Sequence, residues 1–166
     1  MIDEYTAVFL GDKTPPAQFI LLKRAPTKKL FPNLYTGIGG KREPEDQDIQ
    51  QTALRELKEE TGIEVPVVQF SKCIVQGEHA RILNFFYGIS NPELGLPECT
   101  EGTLEWVDID KLLEKALIPT TLEIIREFQK RGFNTEKPWT LIVQETQEHG
   151  VIKTLDLLPV QEGINP

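Results

Sequence analysis

The sequence predicts an α+β fold, and three observations carry that prediction. Strand-like and helix-like segments are mixed along the chain without strict βαβ alternation. Residues 48–61 have a strong helical period, with Ile49, Ala53 and Leu57 four apart and Leu54 beside them. The length, 166 residues, suits one domain with a real core, so 1–166 reads as a single unit.

The elements follow in order. Glu4 to Leu10 and Gln18 to Lys23 read as strands joined by a polar turn with Gly11-Asp12-Lys13 and Pro15-Pro16. A basic, proline-bearing loop leads to a short extended piece, Leu34 to Thr36. The run Gly37-Ile38-Gly39-Gly40 then allows a sharp bend. The helix over 48–61 is stopped by Gly62. Val65 to Val75 and Ala80 to Gly88 read as strands, Asn91 to Gly102 as a loop, and Leu104 to Val107 as a short strand. Asp110 to Ala116 and Thr120 to Arg131 read as helices, the second with Leu122, Ile125 and Phe128 at helical spacing. Trp139 to Thr146 and Val151 to Leu157 read as a closing hairpin around His149-Gly150.

Composition narrows the class. With 39% hydrophobic and 27% charged residues, the chain has the make-up of a folded domain and not of a disordered one. No apolar run reaches membrane-spanning length. Met1-Ile2-Asp3-Glu4 lacks the basic-then-apolar order of a signal peptide. Cys73 and Cys99 form no CxxC pair, so neither a disulfide framework nor a zinc site is expected, and the cytoplasm is the expected compartment. The formal net charge of -8 argues against a long electrostatic grip on nucleic acid, so stable binding of that kind is not expected.

The helix carries the functional signal. With Glu56 at zero on a helical wheel, Glu60 lies at ~40° and Glu59 at ~300°. Ile49 and Ala53 fall at ~20° and ~60°, so Glu60 sits inside the apolar arc and Glu56 at its border. A carboxylate on a core-facing stripe is costly unless something neutralises it. Glu56, Glu59 and Glu60 are neighbours at i+3 and i+4 spacing, and they repel one another. A hard divalent cation would remove both problems. Arg55, one turn before Glu59, can orient a carboxylate by a bidentate pair. The competing reading is an ordinary solvated charged face; the preceding glycines and the place of Glu60 weigh against it.

The segment GGKREPEDQDIQQTALRELKEETGI, residues 39–63, resembles the Nudix box. That pattern is Gly, five residues, Glu, seven residues, then Arg-Glu-aliphatic-any-Glu-Glu-any-Gly-aliphatic. Its second half is met in full from Arg55 to Ile63. In its first half Gly40 is the opening glycine, Asp46 replaces Glu, eight residues separate Asp46 from Arg55, and Ile38 stands where relatives often have Pro. The likeness extends loosely from Tyr5 to Phe128, through Leu21-Leu22-Lys23-Arg24 and the stretch EGTLEWV from Glu101. It leaves the tail from Gln129 unexplained, as an edge hairpin, a dimerisation arm or a substrate lid. A C-terminal helix and hairpin from about residue 120 are read as an extension of the domain.

The resemblance implies an α/β/α sandwich with a mixed sheet and a Mg²⁺-dependent hydrolase of nucleoside diphosphates linked to another group, with Mn²⁺ as an alternative metal. It implies that Glu56, Glu59 and Glu60 hold metal with the Gly39 carbonyl, and that Glu101, or else Glu98, adds a ligand from outside the box. Glu56 is the candidate base and Glu59 its rival, with Arg55 orienting them. Arg24, Lys23, Tyr35, Gly40 and Lys41 are candidates for substrate contact. Against each stands a plain role: a solvated basic pair for Lys23 and Arg24, a core aromatic for Tyr35, a loop acid for Glu101. Trp106 and Trp139 read as packing residues, and His79 and His149 receive no role. The expected substrate is a nucleoside triphosphate, oxidised purines included, cleaved to a monophosphate and pyrophosphate. Thr121 stands where some relatives carry an amide near the base. ADP-ribose, dinucleoside polyphosphates, RNA 5′ ends and a non-catalytic nucleotide-binding module are the alternatives, and a homodimer fits the resemblance.

Overall fold

The computed structural model describes residues 1–149 and 151–164. The first two expected strands are β1 (Asp3–Gly11) and β2 (Gln18–Arg24), followed by β3 (Tyr35–Thr36). Helix α1 (Ile49–Thr61) comes next. Strands β4 (Val67–Gly77), β5 (Arg81–Ile89) and β6 (Gly102–Asp108) precede helix α2 (Pro119–Lys130). The tail forms β7 (Trp139–Glu148), β8 (Val151–Leu157) and a two-residue strand, β9 (Gln161–Glu162).

Three details differ from the sequence reading. The helix expected over 110–116 is a 3₁₀ helix, Ile109–Glu114, and the loop after β5 holds another, Pro92–Leu94. Such tight turns suit short connectors better than a full α-helix. The strand β9 is too short for a sequence period to register it. Of the expected turn at His149-Gly150, Gly150 lies outside the described residues.

All strands join one mixed sheet in the order β3-β2-β1-β5-β4-β7-β8, with β6 paired to β2 and β9 to β7. β1 runs parallel to β5 and β4 parallel to β7; the other pairs are antiparallel. Side chains alternate across a strand, so β1 and β2 feed two cores. Phe9, Phe19 and Leu21 join Phe70, Phe85, Phe128 and Trp139 on the α2 side. Val8, Leu10, Ile20 and Leu22 join Ile38, Ala53 and Leu57 on the α1 side. The result is three layers, helix–sheet–helix. Trp139 is fully buried in the α2-side core and Trp106 packs against the other, as their packing role requires.

One feature of the sheet positions the site. β1 and β2 pair only at Leu10↔Ile20 and Gly11↔Phe19 and then part. Residues 35–41 enter the split, pairing first with β2 at Leu22↔Thr36 and then bridging β1 at Val8↔Ile38 and Tyr5↔Lys41. The C-terminal tail is an edge hairpin: β7 extends the sheet beside β4, and β8 and β9 edge it. Among the described residues, no helix is long and apolar enough to cross a membrane. Cys73 and Cys99 are free thiols.

Candidate functional site

Helix α1 starts where its chemistry dictates. Asp48 accepts from the Gln51 amide at 2.8 Å, capping the first turn, and Gly62 closes the last at φ 75°, its amide donating to the Lys58 carbonyl. The helix buries Ala53 and Leu57 completely. The wheel then places the carboxylates as the sequence predicts. Glu60 is 8% exposed, while the Glu59 side chain is 59% exposed. Glu56 lies between them, with its side chain largely covered. Oε2 of Glu60 is buried and meets no hydrogen-bond partner among the described residues. Burial, aggravated by the neighbouring Glu56 carboxylate, pushes the Glu60 carboxyl up to about 8.

Arg55 fixes this helix to the loop before it. Its Nε and Nη2 donate to the two Asp46 oxygens, each at 3.0 Å, and Nη2 also donates to the Lys41 carbonyl at 3.1 Å. Nη1 donates to Glu56 at 2.9 Å and Glu59 at 3.1 Å. Asp46 takes two further donors, the Glu43 amide at 3.0 Å and the Thr52 hydroxyl at 2.9 Å. The Arg55 guanidinium holds the Asp46 carboxyl far below the usual carboxylate range, and Asp46 in turn raises Arg55. The extra residue before the helix therefore leaves Asp46 as the clamp for Arg55. Arg55 does not line the cavity described below; it holds Glu56 and Glu59 by hydrogen bonds from outside it.

The glycines are required by close approach. The Gly40 carbonyl accepts from the Thr6 amide at 2.9 Å and the Ile38 carbonyl from Val8 at 2.6 Å. By ladder alternation the Gly39 carbonyl points away from β1. A side chain at Gly39 would come within 2.0 Å of the Thr6 carbonyl oxygen, and one at Gly40 within 2.6 Å of the Glu56 carboxylate. Glu56 thus rests on bare backbone, which any larger residue would displace.

A cavity of about 470 Å³ opens along the split between β1 and β2. It collects Glu56, Glu60, Gly39, Gly40, Lys41, Arg24 and Glu101 from the sequence-predicted set. Arg24 is partly buried, and its Nε donates to the Leu30 carbonyl at 3.0 Å. It forms no ion pair among the described residues, and burial lowers its pKa against the opposing pull of Glu60. Glu101 is ion-paired to Lys28 at the cavity wall. Lys41 is exposed and pairs with Asp3 at 2.8 Å.

Lys23, Tyr35 and Glu59 are not brought to this cavity. Lys23 follows Leu21 in the alternation of β2 and so projects to the α2 side, opposite Arg24. There Tyr35 donates to Glu105 at 2.8 Å, and Lys115 donates to the same carboxylate at 2.8 Å while sitting over the tyrosine ring. Glu59 is drawn outward to Arg55, and Glu98 is exposed. Sequence reasoning missed Asp46 as the clamp, Thr52 behind it, and Lys28. It also missed Thr36 and Thr120, which line the inner end beside Thr121, whose hydroxyl is 3.1 Å from that of Thr36.

The donors suit a hard cation. Glu60 Oε2 is buried and unpartnered, Glu56 lies beside it, and both are oxygen ligands of the kind magnesium and manganese take. Among the described residues, no three carboxylate, thiol or imidazole groups converge tightly enough to enclose an ion by themselves. Magnesium commonly keeps waters and substrate phosphates in its shell, which matches an incomplete protein set.

A family model described as "NUDIX domain" matches residues 4–128. Among solved structures, the mutator MutT protein from Bacillus halodurans is similar at 20% identity, TM-score 0.68, over 99% of this chain and 100% of that one. The MutT protein from Methanosarcina mazei Go1 is similar at 20% identity, TM-score 0.68, over 80% and 96%. The Nudix domain of Shewanella oneidensis NrtR, solved with ADP ribose, is similar at 17% identity, TM-score 0.62, over 79% and 88%. At these identities the likeness is one of fold.

Proposed function

The chain belongs to the Nudix family, and on that premise we propose that it is a divalent-metal-dependent hydrolase. It cuts a phosphoanhydride bond in a nucleoside diphosphate linked to another group. The simplest such substrate is a nucleoside triphosphate, released as monophosphate and pyrophosphate. One observation supports the reading above the others: Glu60, whose buried Oε2 has no hydrogen-bond partner among the described residues, lines a cavity that also holds Arg24, which forms no ion pair among them.

The residues divide the work. Glu60 and Glu56, with the Gly39 carbonyl, would hold Mg²⁺ or Mn²⁺, and Glu101 would join from its loop. Bound there, the metal neutralises phosphate charge and assists ionisation of the attacking water. Glu56 is the proposed base: it lines the cavity, whereas Glu59 is turned to the rim by Arg55. Arg24, whose Nη atoms make no hydrogen bond among the described residues, would donate to phosphate oxygens. Gly40 leaves the space in which Glu56 lies against the backbone beside the phosphate chain. The proposed compartment is the cytoplasm, and the proposed ligand is a small nucleotide.

The test is turnover with Mg²⁺ on a panel of normal and oxidised nucleoside triphosphates, ADP-ribose and dinucleoside polyphosphates, with Glu56→Gln as control. Metal-dependent turnover that drops by roughly 100- to 10,000-fold in the control is expected. Nucleotide binding without turnover in folded protein would replace this reading with that of a binding module.

A further inference from the structure

A second cavity, about 490 Å³, adjoins the first and shares Tyr5, Leu30, Phe31 and Arg81 with it as a common wall. Its far side is built from Gln147 and Ile152 of the β7–β8 hairpin, beyond residue 128 where the family match ends. The two cavities lie along the rail formed by β1 and β5, and the register fixes their order. Ala7 opposite Phe85 belongs to the inner end, Tyr5 opposite Leu83 comes next, and Asp3 opposite Arg81 marks the second cavity. The Gly40 backbone, which carries Glu56 against it, is bonded to Thr6, between those ends. The charged centre is thus flanked on both sides, over four residues of strand or ~13 Å.

The three compartments differ in charge. The centre holds Arg24 and the carboxylates Glu56, Glu60 and Glu101. The inner end is neutral, walled by Phe85, Ile118, Thr36, Thr120 and Thr121. The second cavity has the Arg81 guanidinium on its wall, and it is spent. Arg81 is bound through both Nη atoms, at 3.1 and 2.8 Å, to the buried Glu145, and the Asp3 of that wall is paired to Lys41 of the first cavity. His79 lies exposed at its edge. A terminal phosphate placed here would lose water and find no free lysine or arginine among the described residues. Tyr5 and Phe31 offer ring surface instead, at the joint between the cavities. Phe31 has φ 51°, a conformation that a bulky residue adopts at a cost, and such outliers gather at ligand-binding positions.

From this order of neutral, charged and neutral compartments we infer that the second cavity is a subsite for an uncharged ring-bearing group, a nucleoside or a sugar, on the far side of the phosphate chain. The preferred substrate then carries such a group at both ends and does not terminate in a free phosphate. This rests on the hydrolase reading above and narrows it.

The experiment compares ATP, diadenosine tetraphosphate and ADP-ribose, with the matching guanine set of GTP, diguanosine tetraphosphate and GDP-mannose. Each is measured as kcat/KM in the full-length protein and as Kd in Glu56→Gln protein. Ile152→Trp fills the second cavity from an edge strand, and Ile152→Ala is the control for loss of the native side chain. A two-ended compound is expected to exceed its triphosphate by tenfold or more. Ile152→Trp is expected to remove that advantage through KM and Kd, leaving the triphosphate within twofold; Ile152→Ala leaves both. Whether the dinucleotide or the sugar-linked compound responds identifies the group. Equal or better use of the triphosphates, with Ile152→Trp acting alike on all probes, would overturn the inference. Absence of any turnover would sink the hydrolase reading, while the Kd ratios would still decide the subsite.

Discussion

Two glutamates in this molecule are buried to nearly the same degree and have opposite fates. Glu60 on α1 is 8% exposed and Glu145 on β7 is 4% exposed. Glu145 receives both Nη groups of Arg81, and Gln147 Nε2 at 2.6 Å. Glu60 receives nothing at Oε2. Burial pushes both carboxyls up. At Glu145 the Arg81 and Gln147 bonds outweigh it, and the net shift is downward. At Glu60 the adjacent Glu56 adds to burial, and the carboxyl stands at about 8. Burial alone therefore does not separate the two. What sets Glu60 apart is a buried oxygen without a partner among the described residues, in the wall of an open cavity.

The sharpest way to break this contrast is to neutralise each glutamate in turn. Glu60→Gln should cost turnover roughly a thousandfold, because several kcal/mol of charge stabilisation are lost with the cation. Folding stability should hold or rise, since an unpartnered buried acid is removed. Glu145→Gln should do the reverse. Arg81 would be left without its counter-ion, at a cost of about 3–5 kcal/mol measured by urea unfolding. Replacing both partners by Arg81→Met and Glu145→Leu should recover most of that stability. Equal stability losses for the two single variants would end the distinction.

The pH dependence has a definite sign. A carboxyl whose folded pKa is lowered contributes stability above its unfolded value, near 4.5, and loses it as pH falls through the folded value. Wild-type unfolding free energy should drop below about pH 4.5, and Glu145→Gln should show a smaller drop over the same range.

Much of the contrast was written in the sequence. Helical periodicity puts Glu60 in the apolar arc, and the structure agrees because α1 packs by the same periodicity. The alternation of β7 would have found Glu145, since it falls in step with Trp139, Leu141 and Val143. The same period separates Lys23 from Arg24, which were grouped as one basic pair. Asp46 was out of reach for a different reason. Its tie to Arg55 spans a loop with one extra residue, and no period connects a loop to a helix. The second cavity was equally hidden, because Tyr5, Arg81 and Ile152 meet only through sheet pairing between distant segments and Phe31 reaches them from a loop.

Metal addition sharpens the comparison at a smaller energy. A ligand that binds only folded protein stabilises it by about 2.7 kcal/mol at a hundred times its Kd. Mg²⁺ should therefore raise the melting temperature of wild type and of Glu145→Gln, and leave Glu60→Gln unmoved. A rise of the same size in Glu60→Gln would remove that carboxylate from the metal site.

The smallest effect belongs to a third buried acid, Asp46, which is fully satisfied like Glu145 yet serves the site. Four donors converge on it, from Arg55 twice, Glu43 and Thr52. Thr52→Val removes one of them and keeps the shape, so about 1 kcal/mol of stability should be lost. Arg55 keeps its two bonds to Asp46, and the helix keeps its cap at Asp48. The consequence for catalysis is then indirect: a looser clamp lets Glu56 wander from Gly40, and kcat should fall severalfold with KM unchanged. Thr52→Ser restores the hydroxyl and should restore kcat, whereas a purely structural role would move stability without moving kcat.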